Sequence, residues 1–165
     1  MPEKKTLERA REDKREGKSA STQAGEFVRE EMEHIREGKH GARSTKQAIA
    51  IGLSKARRAG VDLKPPSRET ASERTRRQAK RDTEKGQASP SHKPSARRSR
   101  AVRAALKREG KDAASSKALG RQARASANRR TAAQRSASAK KGARSRTAAQ
   151  RSASAKKAAR TRAAG

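Results

Sequence analysis

Fifteen lysine and arginine side chains follow residue 112 with no carboxylate among them: Lys117, Arg121, Arg124, Arg129, Arg130, Arg135, Lys140, Lys141, Arg144, Arg146, Arg151, Lys156, Lys157, Arg160 and Arg162. The residues between them are mainly Ala, Ser, Thr, Gln and Gly, small enough for the backbone to approach a phosphate. Such a run neutralises a polyanion and releases its counterions, and it gains affinity without reading a base. Arg97, Arg98 and Arg100 extend the set upstream. A second set lies in KQAIAIGLSKARRAG: Lys46, Lys55, Arg57 and Arg58. A helix opened by Ser44 after a short turn has the form of a recognition helix. Base-reading side chains are sparse there, with only Gln47 and Arg43 near its start. The simpler reading is a two-helix hairpin with solvated basic ends.

Other chemistries find fewer residues. Three histidines occur, His34, His40 and His92, and Glu31 precedes His34 at the Glu-x-x-His spacing of di-iron helices. That site needs carboxylates from other helices, and only this segment is acidic. A solvated helix face is therefore expected, with no metal and no cofactor. No Gly-x-Ser-x-Gly and no Gly-rich phosphate loop occurs. Ser89-Pro90 and Lys93-Pro94 are distantly similar to the Ser-Pro-basic turns of linker-histone tails.

The elements that must position these residues have little to build with. The chain has 165 residues, 46 Lys+Arg against 17 Asp+Glu, and a net charge of +29. Of its apolar residues 34 are Ala and only 14 are larger. Leu, Ile, Val and Phe number 12, far below the roughly 20% under which a highly charged chain is expected to be disordered. A buried large side chain returns roughly 1.5–3 kcal/mol, and ordering one residue's backbone costs about 1–2 kcal/mol. One large core is excluded, and with it almost any enzyme that needs a rigid, dry pocket. There is no Cys, hence no disulfide or thiolate ligand. The longest apolar run, Ala48–Leu53, is too short for a membrane, and no apolar stretch near the N-terminus suits a signal peptide. A cytoplasmic location on the nucleoid is expected. With Phe27 as the one aromatic residue, a base-stacking surface is not expected.

Charge and apolar pattern together divide the chain into four parts. Residues 1–21 form a charged lead-in anchored by Leu7; 22–64 a helical hairpin; 65–112 a basic linker with short helices; 113–165 an Ala/Arg/Lys-rich tail. In the hairpin, Ala24, Phe27, Val28, Met32 and Ile35 form one helical stripe after a cap at Ser21 or Thr22. Ser44-x-x-Gln47 has capping-box spacing, and the second helix, roughly 45–59, places Ile49, Leu53 and Ala56 on one side. Gly60 suits a left-handed helix end, Val61 and Leu63 can fold back, and Pro65-Pro66 stops continuation. Phe27 is the expected keystone, facing Ile49 or Leu53. Thr70-x-x-Glu73 predicts a cap for a helix to about Lys85. Ser95 predicts another to about Glu109, with Val102 and Leu106 four apart, and 113–125 a further one carrying Leu119. In the tail, RTAAQRSASAKKGARS at 130–145 recurs as RTAAQRSASAKKAART at 146–161, with two differences. Sixteen residues advance a helix by about 160° beyond whole turns, so the copies share no face. The tail is expected to be coil when free and partly helical when bound.

The block from Glu26 to Gly60 resembles a family of small basic bacterial proteins known as a domain of unknown function. The features that carry the resemblance are the acidic helix with Phe27, the Lys39-His40-Gly41 turn, and Lys46–Ser54 followed by Ala56-Arg57. The resemblance implies no established activity. The tail separately resembles bacterial linker-histone-like proteins in its Ala, Lys, Arg and Ser content.

The sequence therefore predicts a mostly α chain: a small helical hairpin, helix-prone low-complexity segments and a disordered cationic tail. The expected function is non-enzymatic, sequence-tolerant DNA binding through phosphate contacts, with DNA ahead of RNA and no membrane partner. An RNA- or ribosome-associated basic protein is the alternative. So is a protein-interaction module with a localising tail, in which the hairpin stripe gives weak self-association.

Overall fold

The computed structural model describes residues 2–88, 95–144 and 146–163. His92 and the two Pro-containing turns at 89–94 lie outside them. Among the described residues there are helices and no strand: α1 (Lys4–Arg15), α2 (Ala20–Glu37), α3 (Thr45–Arg58), α4 (Glu73–Gln87), α5 (Ala96–Lys107), a 3-10 turn (Asp112–Ala114), α6 (Ser116–Asn128), α7 (Ala132–Arg144) and α8 (Ala148–Ala163). The chain divides into two compact units, Met1–Gln122 and Ala123–Gly165.

The α2–α3 hairpin organises the first unit. Ser19, rather than Ser21 or Thr22, caps α2 by accepting from the Thr22 amide. Gly38, at φ 78°, ends it in the left-handed conformation. Ser44 Oγ caps α3 by accepting from the Gln47 N–H at 3.2 Å. Gln47 Oε1 accepts from the Arg43 N–H at 2.8 Å, one residue before the partner a capping box prescribes. The face of α3 that meets α2 is built from small residues at four-residue spacing: Ala48, Gly52 and Ala56, all buried. A β-carbon at Gly52 would lie 2.7 Å from Val28 Cα, so glycine sets how closely the helices approach. Ile49 and Leu53, expected on the buried face, are only partly covered and flank this seam.

Two small clusters sit at opposite ends of the hairpin. Phe27, Ala24, Ala56, Val61 and Ala10 form one, with Leu7, Leu53 and Leu63 against them. Met32, Ile35, Ala42, Ala48, Ala113 and Ala114 form the other, with Val28, Ile49 and Leu119 against them. Phe27 thus packs with Leu53, while Ile49 belongs to the opposite end. The apolar stripe of α2 is consumed within the chain, and the large apolar residue left exposed among the described residues is Val102.

Segments outside the hairpin complete these clusters. Helix α1 supplies Leu7 and Ala10. Helix α4 lies on α3 through buried Ala79 and Asp82. It is capped by Ser72 Oγ, which accepts from the Thr75 amide; Thr70, the expected cap, instead donates to the Ser67 carbonyl. Ser95 precedes α5 without a side-chain cap bond. The chain then returns to the hairpin turn: the Gly41 N–H donates to Leu106 O at 2.9 Å, and the Ala42 N–H to Gly110 O at 3.1 Å. A β-carbon at Gly41 would overlap the Glu109 carbonyl, so this approach requires glycine. Thr45 Oγ1 donates to Ala113 O at 2.7 Å and Arg36 Nε to Ala114 O at 3.0 Å, docking the 3-10 turn. Ala113, Ala114 and Ala118 are buried there, although composition assigns them to the tail.

The second unit holds α7, α8 and the end of α6. Composition predicts disorder here; residues 132–144 and 148–163 are helical. Ala, Arg, Lys and Gln favour helix, and each helix has a reciprocal cap. Thr131 Oγ1 accepts from the Gln134 N–H at 3.2 Å and Gln134 Oε1 from the Thr131 N–H at 3.0 Å. Thr147 and Gln150 repeat the pair at 3.2 and 3.0 Å. Neither helix buries a side chain. They rest on propensity and capping alone.

Candidate functional site

The cations of α3 divide by what surrounds them. Lys46 is exposed and has no ion pair among the described residues. Lys55 reaches back to α2, with Nζ 2.6 Å from Glu31 Oε2 and 3.4 Å from Glu30 Oε1. Arg57 is buried and donates to the carbonyls of Leu63 and Lys64, 3.4 and 3.5 Å away. Burial pushes its guanidinium below the usual arginine pKa, with the charge of Asp82 opposing the shift. Arg58 Nε donates to Asp82 Oδ1 at 2.7 Å. Of the three predicted as phosphate contacts, Lys55 and Arg57 are thus held against the fold, while Arg58 pairs with Asp82 and keeps about half its side chain exposed. The carboxylate partners of Lys55 and Arg58 lie on other helices, which a count of charge along one helix does not register. Gln47 is occupied by the cap, and Arg43 and Lys46 are the exposed cations at the start of α3.

The remaining predicted contacts stand in solvent. Arg97, Arg98 and Arg100 are exposed on α5, together with Arg103 and Lys107. Lys117, Arg121 and Arg124 are exposed on α6. In the second unit Arg129, Arg130, Arg135, Lys140, Lys141, Arg144, Arg146, Arg151, Lys156, Lys157, Arg160 and Arg162 are all exposed. No carboxylate occurs in residues 113–165, so none of these has an acidic neighbour on its own helix or repeat.

The repeat acquires a structural meaning here. Arg135 Nη1 donates to Arg130 O at 2.6 Å and to Ala127 O at 3.4 Å. Arg151 Nη1 does the same to Arg146 O at 3.1 Å and Ala143 O at 3.0 Å. Each copy is therefore one cassette: a Thr/Gln capping box, an arginine that satisfies carbonyls at the end of the preceding helix, and a helix carrying further cations. The Thr-x-x-Gln spacing at 131–134 and 147–150 was the sequence signal for it.

Two further features lie in the first unit. A cleft of about 510 Å³ between α3 and α4 is lined by Arg57, Arg74, Arg81 and Gln78, with buried Asp82 at its wall. Asp82 accepts from Ser54, Arg58 and Gln78 at 2.7, 2.7 and 3.0 Å, so its charge is satisfied within the fold. At the other end, Glu31, His34 and His40 converge, each offering a ligand atom within 4.8 Å of the others. The Glu31-x-x-His34 spacing on one helix predicts a solvated face; the turn after Gly38 instead carries His40 back over that helix. Glu3 Oε1 accepts from His34 Nε2 at 2.8 Å and from Lys39 Nζ at 3.2 Å. These bonds, His34 first, hold the Glu3 carboxyl below its ordinary pKa.

No helix among the described residues is long and apolar enough to cross a membrane. Residues 11–68 match a family of unknown function (DUF6496). The match takes in the end of α1, the hairpin and its turn, and stops before α4. No curated protein and no solved structure matches the chain.

Proposed function

We propose that this protein is a non-enzymatic, sequence-tolerant DNA-binding protein of the bacterial nucleoid, similar in manner of binding to linker histones. The observation that carries the reading is the second unit. Residues 123–165 hold 13 Lys and Arg and no acidic residue. Their described cations are all exposed, most of them on α7 and α8, which bury no side chain. Cations on all sides of a helix suit bridging and wrapping of phosphate strands better than reading one groove. The exposed arginines of α5 and α6 add to the same field. The first unit is the folded body that carries this cationic unit. The engagement of Lys55 and Arg57 within the fold favours phosphate contact elsewhere over base readout by α3.

The test is a comparison of ligands at one fixed salt concentration. Duplex DNAs of unrelated sequence are expected to bind the full chain within a few-fold of one another. A preference of about a thousandfold for one duplex is the scale of specific recognition and overturns the sequence-tolerant reading. Duplex RNA bound far more tightly than every DNA overturns the choice of DNA.

A further inference from the structure

The cluster at the C-terminal end of α2 has the chemistry of a metal centre. Glu31 is fully buried, and neither carboxylate oxygen accepts a well-directed hydrogen bond among the described residues. Lys55 Nζ lies against Oε2 at 2.6 Å and balances part of its charge. Oε1 faces His40 Nε2 at 3.3 Å. His40 Nδ1 lies 3.1 Å from the Gly41 carbonyl, which can only accept, so Nδ1 carries the proton. Nε2 is then the nitrogen that faces the carboxylate oxygen, and a cation, either a metal ion or a proton on that nitrogen, fits between the two.

His34 completes the set from one turn along the same helix. Its ring stands nearly perpendicular to that of His40, with centroids 6.0 Å apart and an interplanar angle of 84°. Glu3 holds its Nε2–H and Gly41 holds the Nδ1–H of His40. Carboxylate and carbonyl acceptors of this kind orient the histidine ligands of metal sites and fix their tautomers. Both imidazoles are only slightly exposed, at 14% and 15% of the side chain. Ligand atoms about 2.0–2.2 Å from a tetrahedral zinc ion lie about 3.3–3.6 Å from one another. The Glu31–His40 separation already has that value, and a ring nitrogen of His34 lies within 4.8 Å of both ligand atoms.

We propose that Glu31, His34 and His40 bind one divalent first-row transition ion of the zinc type, with Glu31 bound through a single oxygen. Two imidazoles and one carboxylate suit such an ion and disfavour magnesium and calcium. Lys55 occupies the second carboxylate oxygen and limits Glu31 to monodentate binding. The ion would tie α2 to the turn on which residues 106–110 dock, and so brace the first unit independently of any nucleic acid.

Zinc chloride titrated into full-length protein, freed of nucleic acid and followed by calorimetry and thermal melting, tests this. One equivalent is expected to bind with a rise in Tm, since a ligand of the native state stabilises it. His34→Ala and His40→Ala are each expected to weaken zinc by at least about tenfold. His92→Ala is expected to leave it unchanged. Because a variant can fail to fold, histidine ring resonances of the unmodified chain give a second reading: two rings should shift with zinc, and the ring missing from the His92→Ala spectrum should not. The absence of saturable binding overturns the site. So does equal loss in His92→Ala, or a His40 ring that titrates with pH while zinc leaves it unmoved, which assigns the bridging cation as a proton.

Discussion

Phe27→Ala should unfold the α2–α3 hairpin. Phe27 is fully buried and is the largest side chain in its cluster, where every other fully buried neighbour is alanine. Truncating a core phenylalanine costs about 3–5 kcal/mol. Total stabilities of about 5–15 kcal/mol are usual for whole domains, and a core this small sits at the low end. The loss should also release α1, because Leu7 and Ala10 pack against the same ring. Amide exchange in α2 and α3 is the measurement of choice. The helices of the second unit contribute to total helicity without depending on Phe27, so circular dichroism alone would understate the change. Phe27→Leu, which keeps most of the volume, should retain the fold. Unchanged protection in the alanine variant would place Phe27 outside the core and return the stripe to the role of a docking surface.

Lys55→Ala should be nearly as damaging, for an electrostatic reason. Glu30 and Glu31 are buried neighbours on α2, and Lys55 Nζ is the ammonium between them, 3.4 and 2.6 Å away. Removing one partner of a buried ion pair costs about 3–5 kcal/mol, because the remaining charge stays in a low-dielectric site. Lys55→Met keeps the aliphatic stem and should lose most of the same stability, while Lys55→Arg should recover much of it. A double-mutant cycle with Glu31→Gln should give a coupling well above the roughly 0.5 kcal/mol scatter of independent sites. A Lys55→Met protein that melts like the parent would show that Lys55 is a surface cation and restore it to the phosphate contacts.

These two residues mark what the sequence displayed and what it hid. Large apolar residues at helical spacing are visible, and the Phe27–Ile35 stripe, the Ser44 cap and the left-handed Gly60 at φ 88° could all be located from them. Burial of alanine is not visible in a chain with 34 of them. Ala10, Ala79, Ala113 and Ala114 carry the packing of α1, α4 and the 3-10 turn, and nothing local separates them from the exposed alanines of α7 and α8. The seam of Ala48, Gly52 and Ala56 was masked in the same way by the larger Ile49 and Leu53 beside it. Ion pairs between residues distant in sequence are not visible either. Lys55 and Arg58 look like solvated cations until Glu30, Glu31 and Asp82 are brought to them. The tail cations could be read from sequence because no acidic residue exists there to claim them.

Salt dependence tests most directly whether the second unit engages phosphates. Deleting residues 113–165 would strip Ala113 and Ala114 from the core, so replacement of charge is the better variant. All 13 Lys and Arg after Gln122 are replaced by Gln, leaving residues 1–122 unchanged. For the parent chain on duplex DNA, log K should fall linearly with log salt, with a slope of about −0.9 per phosphate neutralised. The replaced charges are 13 against a net charge of +29, so the slope should shrink by roughly half and affinity should fall with it. A variant that keeps the parent's slope and affinity would contradict the account and move the binding surface to the first unit.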